Sequence, residues 1–428
     1  NLTSSSLQVF RKSIEIILRS GAPAIRYRAL QKVQDLGREH IAITGEIIDA
    51  IGAPLWDTLI GFLPQVSNRR MFFEIVRCLR LIADSIRSSG KAWSISADTS
   101  DTIQSWITTE IESIYRDCFV WNHFRKSVKV LGATSVLDGA IRENLIRFCE
   151  WAVNAMILMD KKGVLSWRHN DIDIREREQR FDLIEIIESS SYQRIGSLVL
   201  PLLKFDSWEY ISKTGKNHFH FKDETANNGL LYFINSDNRW LCFCGLYTYW
   251  LVYGGRPVDP AIEEALRVLV DDPSPQVSIA ARELIESRYK SDSKKVQAFE
   301  YLERVLFFKK SSLFKNVNAE KLLKLAEITQ EEVFEKGSVI SAQGQISDHL
   351  YLVKKGSLRV VKNVGAVKTV LATVREGETY GEIGLFTQAT RSASAIANER
   401  CELYVIKRGQ FKKLLLEIPD ISYSLLEV

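Results

Sequence analysis

The sequence predicts a multidomain α + β chain: a long all-helical part followed by a smaller, strand-containing part. Three observations carry this. From about residue 7 to 290, apolar residues recur at three- and four-residue spacing, with no alternation long enough for a sheet. A polar break, Ser291-Asp292-Ser293-Lys294-Lys295, closes that stretch. Beyond it, glycine turns at Gly365 and at Glu376-Gly377-Glu378 precede the apolar run Leu403-Tyr404-Val405-Ile406, which reads as a buried strand. The domain boundary is placed accordingly, with 1–296 helical and 297–428 a second domain.

Taken in order, helices are expected at 13–18, 24–36 (stopped by Gly37), 47–63, 71–86, 103–119 and 141–159. The charge run Arg175-Glu176-Arg177-Glu178 leading into Phe181 reads as a solvated helix face with Glu and Arg at i,i+4 spacing. Asp206 to Asn228 is the longest expected loop, with Lys213 to Asn217 at its tip. Val296 to Phe308 reads as an amphipathic helix joining the two parts.

Composition narrows the function classes. The 428 residues are 46% hydrophobic and 26% charged, ordinary for a folded chain. A net charge of +4 is too small to argue for nucleic acid, and no basic run is interleaved with aromatics. Six scattered cysteines point to free thiols in a reducing compartment. The apolar stretch Trp240 to Gly254 is about 15 residues, shorter than the ~20 that a spanning helix needs. The start at Asn1 has no signal-peptide features and suggests a portion of something longer. His218, His220, Cys242 and Cys244 have zinc-binding chemistry, but residues two apart on a helix diverge, so a buried core without metal is expected. No nucleophile elbow, phosphate loop or dinucleotide fingerprint is present, and the chain is read as a non-enzyme.

The segment Tyr380-Gly381-Glu382-Ile383-Gly384-Leu385-Phe386, followed by Arg391-Ser392-Ala393, has the composition of a small anion cradle. Glycine lets backbone approach a ligand, amides donate to phosphate oxygens, and arginine supplies a forked permanent charge. Glu382 suits a ribose hydroxyl better than a phosphate. A ligand with a sugar and a phosphate close together is expected.

This segment resembles the phosphate-binding cassette of cyclic-nucleotide-binding domains, and the resemblance extends over about the last 130 residues. It includes Phe334-Glu335-Lys336-Gly337, Gln343-Gly344-Gln345, Leu350 to Val360 and Phe411 to Leu415. It implies a small jelly-roll-like β-barrel with flanking helices. It further implies that Gly381 and Glu382 hold the ribose 2′-hydroxyl, Arg391 pairs with the cyclic phosphate, and the Ser392 and Ala393 amides cap it. Ile383 completes the ligand-binding set. Cyclic AMP is favoured, with cyclic GMP the alternative because Ser392 follows the arginine. In family members a helix after the segment matching Ile418-Pro419-Asp420-Ile421 covers the base, whereas here the sequence reaches only Val428.

In the helical part, Ser20-Gly21-Ala22-Pro23-Ala24 and Asp271-Asp272-Pro273-Ser274-Pro275 each open a helix, and Asn235-Ser236-Asp237-Asn238 is a fainter echo. This resembles HEAT-type repeats, which implies an α-solenoid over 1–296. A HEAT-like stretch ending in a cyclic-nucleotide domain is similar to the soluble tails of some transporter-like membrane proteins, as is the stretch Gln179-Arg180-Phe181-Asp182 leading to Leu200-Pro201-Leu202. The expected function is a regulatory sensor at the cytoplasmic face of a membrane. Its ligand would bias contacts with a protein partner, a linked membrane domain or a second copy. The alternatives are a helical scaffold with a degenerate, non-binding barrel, a DNA-binding regulator, for which no reading module follows the nucleotide domain, and an enzyme of unrecognised chemistry in the helical half.

Overall fold

The computed structural model describes residues 53–66, 68–88, 94–128, 135–160, 177–188, 193–222, 226–254, 259–287, 296–364, 367–382 and 389–417, with isolated positions 13, 29, 30, 172, 174 and 256. Apart from positions 13, 29 and 30, which are helical, the expected helices at 13–18 and 24–36 lie outside this set, as do the site residue Ile383 and the segment after 417. Two compact units are formed, Asn1–Ser127 with Ile141–Gly229, and Val128–Ala140 with Leu230–Val428. The boundary placed at 296/297 falls inside the second unit. No helix among the described residues is long and apolar enough to cross a membrane.

The first part of the chain is helix-rich. Its elements are α1 (Ala53–Phe62), α2 (Arg69–Ser88), α3 (Ala97–Ser127), α4 (Ser135–Met159), α5 (Arg177–Glu188), α6 (Gln193–Lys204), α7 (Trp208–Phe219) and α8 (Ala226–Ile234). Aromatic stacking fixes the first unit's core: Phe72 lies on Trp106 and Phe73 on Trp151, each pair at 4.6 Å. On α5 the charged residues face outward while Leu183 and Ile187 are buried.

The stretch expected as a loop at 206–228 is instead largely α7. Its helix former is local capping plus tertiary packing, which outweighs its polar composition. Ser207 accepts from the Tyr210 amide as N-cap, and His220 ends the helix in the left-handed region at φ 55°. Trp208 and Ile211 are buried, and Gly215 lies so close to Tyr115 that a Cβ would come within 2.8 Å of its ring.

A buried polar cluster sits against α3. The Arg69 Nε lies 2.7 Å from Glu110 Oε2, Asn144 donates to Asp117 at 3.4 Å, and the second Glu110 oxygen has no partner among the described residues. Burial pushes the Glu110 carboxyl up to about 7, with Arg69 opposing and Asp117 adding to the rise. A carboxyl raised in the folded state favours folding when neutral, so its contribution is complete below the unfolded value and lost as pH rises through the folded one. Between pH 4.5 and 7 the stability of wild type relative to Glu110→Gln is therefore expected to fall, by up to about 3 kcal/mol. Urea melts of both proteins across that window check it.

The second unit continues with α9 (Arg239–Tyr253), α10 (Pro260–Leu269), α11 (Pro275–Ser287), α12 (Gln297–Phe308) and α13 (Ala319–Ile328). Asn238 caps α9 by accepting from the Trp240 and Leu241 amides, and Asp259 with Pro260 opens α10. Arg239 reaches Asp272 at 3.0 Å, joining two of the turns that echo each other in sequence. Cys242 donates its thiol to the Ile234 carbonyl at 2.9 Å, the behaviour of a core residue. All six cysteines are free and buried, and no group of three potential metal ligands occurs among the described residues.

Among the described residues eight strands follow: β1 (Gln330–Phe334), β2 (Val339–Ser341), β3 (His349–Lys355), β4 (Ser357–Val364), β5 (Val367–Arg375), β6 (Thr379–Tyr380), β7 (Ser394–Ala397) and β8 (Cys401–Lys407), before α14 (Arg408–Glu417). They form two antiparallel sheets, ordered β1-β8-β3-β6 and β2-β7-β4-β5. The closed barrel expected from the resemblance is thus an open β-sandwich. Closure fails because β6 is only two residues long, ended by Gly381, and no ladder among the described residues joins the sheet edges. Tyr351, Val353, Leu358, Ala395, Leu403 and Val405 fill the space between the sheets.

Candidate functional site

The site forms where β6 ends and β7 begins. At the end of β6, Gly381 takes φ 95°, a conformation that side chains resist. Its absent side chain matters as much as its dihedral. A Cβ at Gly381 would lie 2.0 Å from Arg391 Nη1, so the guanidinium rests directly on the glycine.

Arg391 is held from several directions. Its amide donates to the Gln345 carbonyl at 2.7 Å, and its carbonyl accepts from the Gly344 amide at 2.8 Å. Its Nη2 donates to the His349 carbonyl at 2.5 Å. The guanidinium lies 4.9 Å from the Tyr380 ring centre and 5.7 Å from that of Tyr351. The Tyr380 hydroxyl donates to the Ala393 carbonyl at 3.0 Å, fixing that ring beside the arginine. Burial pushes the Tyr351 phenol up, with Arg391 opposing the shift. Only 7% of Arg391 is exposed, so a permanent charge is kept at a largely buried position.

Glu382 follows Gly381 directly. Its Oε2 is buried and has no hydrogen-bond partner among the described residues. Such an acceptor suits a hydroxyl donor from outside the chain. Ser392 is exposed and Ala393 buried, so the turn after the arginine has one open and one closed residue. The arrangement offers a fixed cation, a carboxylate acceptor and a close-approach backbone. These groups fit a ligand bearing both a hydroxyl and an anionic phosphate.

Of the residues singled out in sequence, Gly381 and Arg391 are brought into contact, Glu382 adjoins Gly381, and Ser392 and Ala393 adjoin Arg391. Sequence reasoning missed Tyr351 and His349. Tyr351 is brought beside Arg391 by its pairing opposite Tyr380, a register that neither strand reveals alone, and His349 meets Arg391 through its main-chain carbonyl, which no side chain signals.

Residues 331–417 match the family model described as Cyclic nucleotide-binding domain. The chain is 31% identical over 118 residues to the Cyclic AMP receptor protein of Thermus thermophilus, covering 27% of this chain and 55% of that protein. It is 33% identical over 98 residues to a cAMP-dependent protein kinase regulatory subunit of Schizosaccharomyces pombe, covering 23% of each. A third relative is the cGMP-dependent protein kinase, isozyme 1, of Drosophila melanogaster, 28% identical over 122 residues, with 28% of this chain and 16% of that one covered. The chain therefore spans about half or less of the length of these curated relatives. Residues 331–417 are a cyclic nucleotide-binding domain.

Proposed function

We propose that the chain is a non-catalytic cyclic-nucleotide sensor. The observation that carries this is Arg391 seated on Gly381, with the buried oxygen of Glu382, which has no partner among the described residues, one residue on. Arg391 pairs with the cyclic phosphate, the Ser392 and Ala393 amides cap it, and the Gly381 amide with the Glu382 carboxylate holds the ribose 2′-hydroxyl. Ile383 completes the pocket. Cyclic AMP is the favoured ligand and cyclic GMP the alternative; relatives named for each are among those matched.

The signal passes through α12 to the preceding helices, which we read as HEAT-like repeats that bind a protein partner. Support for this comes from both ends of that helix. Phe299 packs among Phe243, Tyr247 and Trp250 of α9 at 5.9, 5.1 and 5.5 Å. Phe307 and Phe308 meet Tyr404 of β8 at 5.5 and 5.7 Å. The chain acts at the cytoplasmic face of a membrane, as the regulatory part of a larger, transporter-like protein; its buried free thiols suit a reducing compartment. Titration of the full chain with cyclic AMP and cyclic GMP, with Arg391→Ala alongside, tests the sensor.

A further inference from the structure

The hairpin β4–β5 leaves the sandwich. Leu358 and Val361 on β4, with Val374 on β5, are its buried residues, whereas Lys362, Asn363, Val364 and 367–372 are all exposed. Consecutive residues of a strand point to opposite faces, so this distal ribbon is bare on both sides. Its apolar members are large and open: Val364 and Val367 are each 64% exposed, Val370 59% and Leu371 55%. Val364 stands opposite Val367 in the register, which sets that pair together at the far end.

Charge is as uneven as hydrophobicity. From Ser357 to Arg375 the sequence contains Arg359, Lys362, Lys368 and Arg375 and no acidic residue. None of these four forms an ion pair among the described residues. The nearby carboxylates lie at the base: Glu399 accepts from the Ser357 hydroxyl and Glu378 from the Arg375 amide. The ribbon is also braced. The Gln343 side chain donates to the Asn363 carbonyl at 3.1 Å and accepts from its amide at 2.8 Å.

We propose that this ribbon docks on an anionic phospholipid surface, Val364 and Val367 entering the interface while Lys362 and Lys368 pair with headgroup phosphates and carboxylates. Three observations select lipid over other occupants. A second copy would bring a second purely basic hairpin against the first, with no acid to offset it. Strand addition to the free edge of β5 is opposed by Lys368 in the strand and by the irregularity opposite Val360 and Val361. A flat protein surface covers one face of a ribbon, whereas a lipid interface surrounds a tip whose two faces are both bare. Basic residues near an apolar insertion are the usual partners of acidic headgroups. The proposal is independent of the nucleotide reading.

Co-sedimentation of the full chain with vesicles tests it, comparing phosphatidylcholine alone with phosphatidylcholine plus phosphatidylserine. The chain is expected to bind the second and not the first, and added salt should release it. Lys362→Glu with Lys368→Glu, and separately Val364→Asp with Val367→Asp, are each expected to weaken binding about tenfold or more. All four positions are exposed, so melting and circular dichroism should be unchanged. Because the six native cysteines are buried, a dye attached at Val364→Cys reports the tip, and its emission should shift to the blue on binding. Failure to bind phosphatidylserine vesicles, or binding that ignores both pairs of substitutions, overturns the proposal. So does loss of self-association in the charge variant, which assigns the ribbon to a second copy. Capture by poly-glutamate without any vesicle binding would assign it to an acidic protein and overturn it equally.

Discussion

Gly381→Ala is expected to weaken cyclic-nucleotide binding about 100-fold or more while leaving the chain folded. Two costs meet at this position. A side chain at φ 95° is strained, worth roughly 1–3 kcal/mol. The added Cβ would also lie 2.0 Å from Arg391 Nη1 and 2.9 Å from its central carbon. The guanidinium is the flexible end of its side chain, so it moves and the backbone survives. Moving it breaks the bond to the His349 carbonyl and leaves the Tyr380 ring, and these contacts hold the charge in place. Gly377→Ala separates the two costs. Gly377 has φ 83° but nothing within 4 Å of an added Cβ, so it pays the strain without disturbing Arg391. Equal losses of affinity in both variants would refute the account of Gly381.

Phe299→Ala is expected to destabilise the second unit by about 3–5 kcal/mol, read as a drop in the urea midpoint. Phe299 is 1% exposed and touches three aromatic rings of α9, a helix that is apolar nearly all round and therefore central. Neighbouring bonds cannot replace it. The Ala298 amide donates to Glu283 at 3.0 Å, and Gln276 donates to Glu327 at 2.8 Å, but these sit at partly or fully exposed positions. At its other end α12 stays anchored, since Arg304 donates to the Ala326 and Thr329 carbonyls at 3.2 and 3.0 Å. The loss should therefore speed amide exchange in α9 and the first turns of α12 more than in β3 or β8. A loss below about 1 kcal/mol would show that the ring packs loosely and that α12 is poorly joined to α9.

The helical character of the first part was legible because its signal is local: apolar spacing at 71–86 and 103–119 corresponds to α2 and α3, which only extend further. Where the signal was weak, tertiary contacts decided. Lys213 to Asn217 is polar and contains a glycine, yet Gly215 is what permits α7 to approach Tyr115. In the second part, Gly377 lies at a positive φ in the turn before β6 as expected, the expected turn at Gly365 lies outside the described residues, and Gly381 and Arg391, both singled out in the motif, are brought into contact. The open sandwich was not legible, because closure depends on how many residues β6 pairs, which its sequence does not state. The roles of His349 and Tyr351 were hidden for the same reason: contact across strands is set by register, not by spacing along the chain. The exposed ribbon was hidden too, since Val364, Val367, Val370 and Leu371 read as ordinary strand residues until their surroundings are known.

Calorimetric titration of the full chain with cyclic AMP and cyclic GMP, with Arg391→Ala alongside, tests the central claim most directly. The account predicts saturable binding of one molecule per chain, micromolar or tighter for the preferred base, and its loss in the variant because Arg391 is the buried cation that rests on Gly381. Absence of binding to the wild-type chain, or binding that Arg391→Ala leaves unchanged, would contradict it.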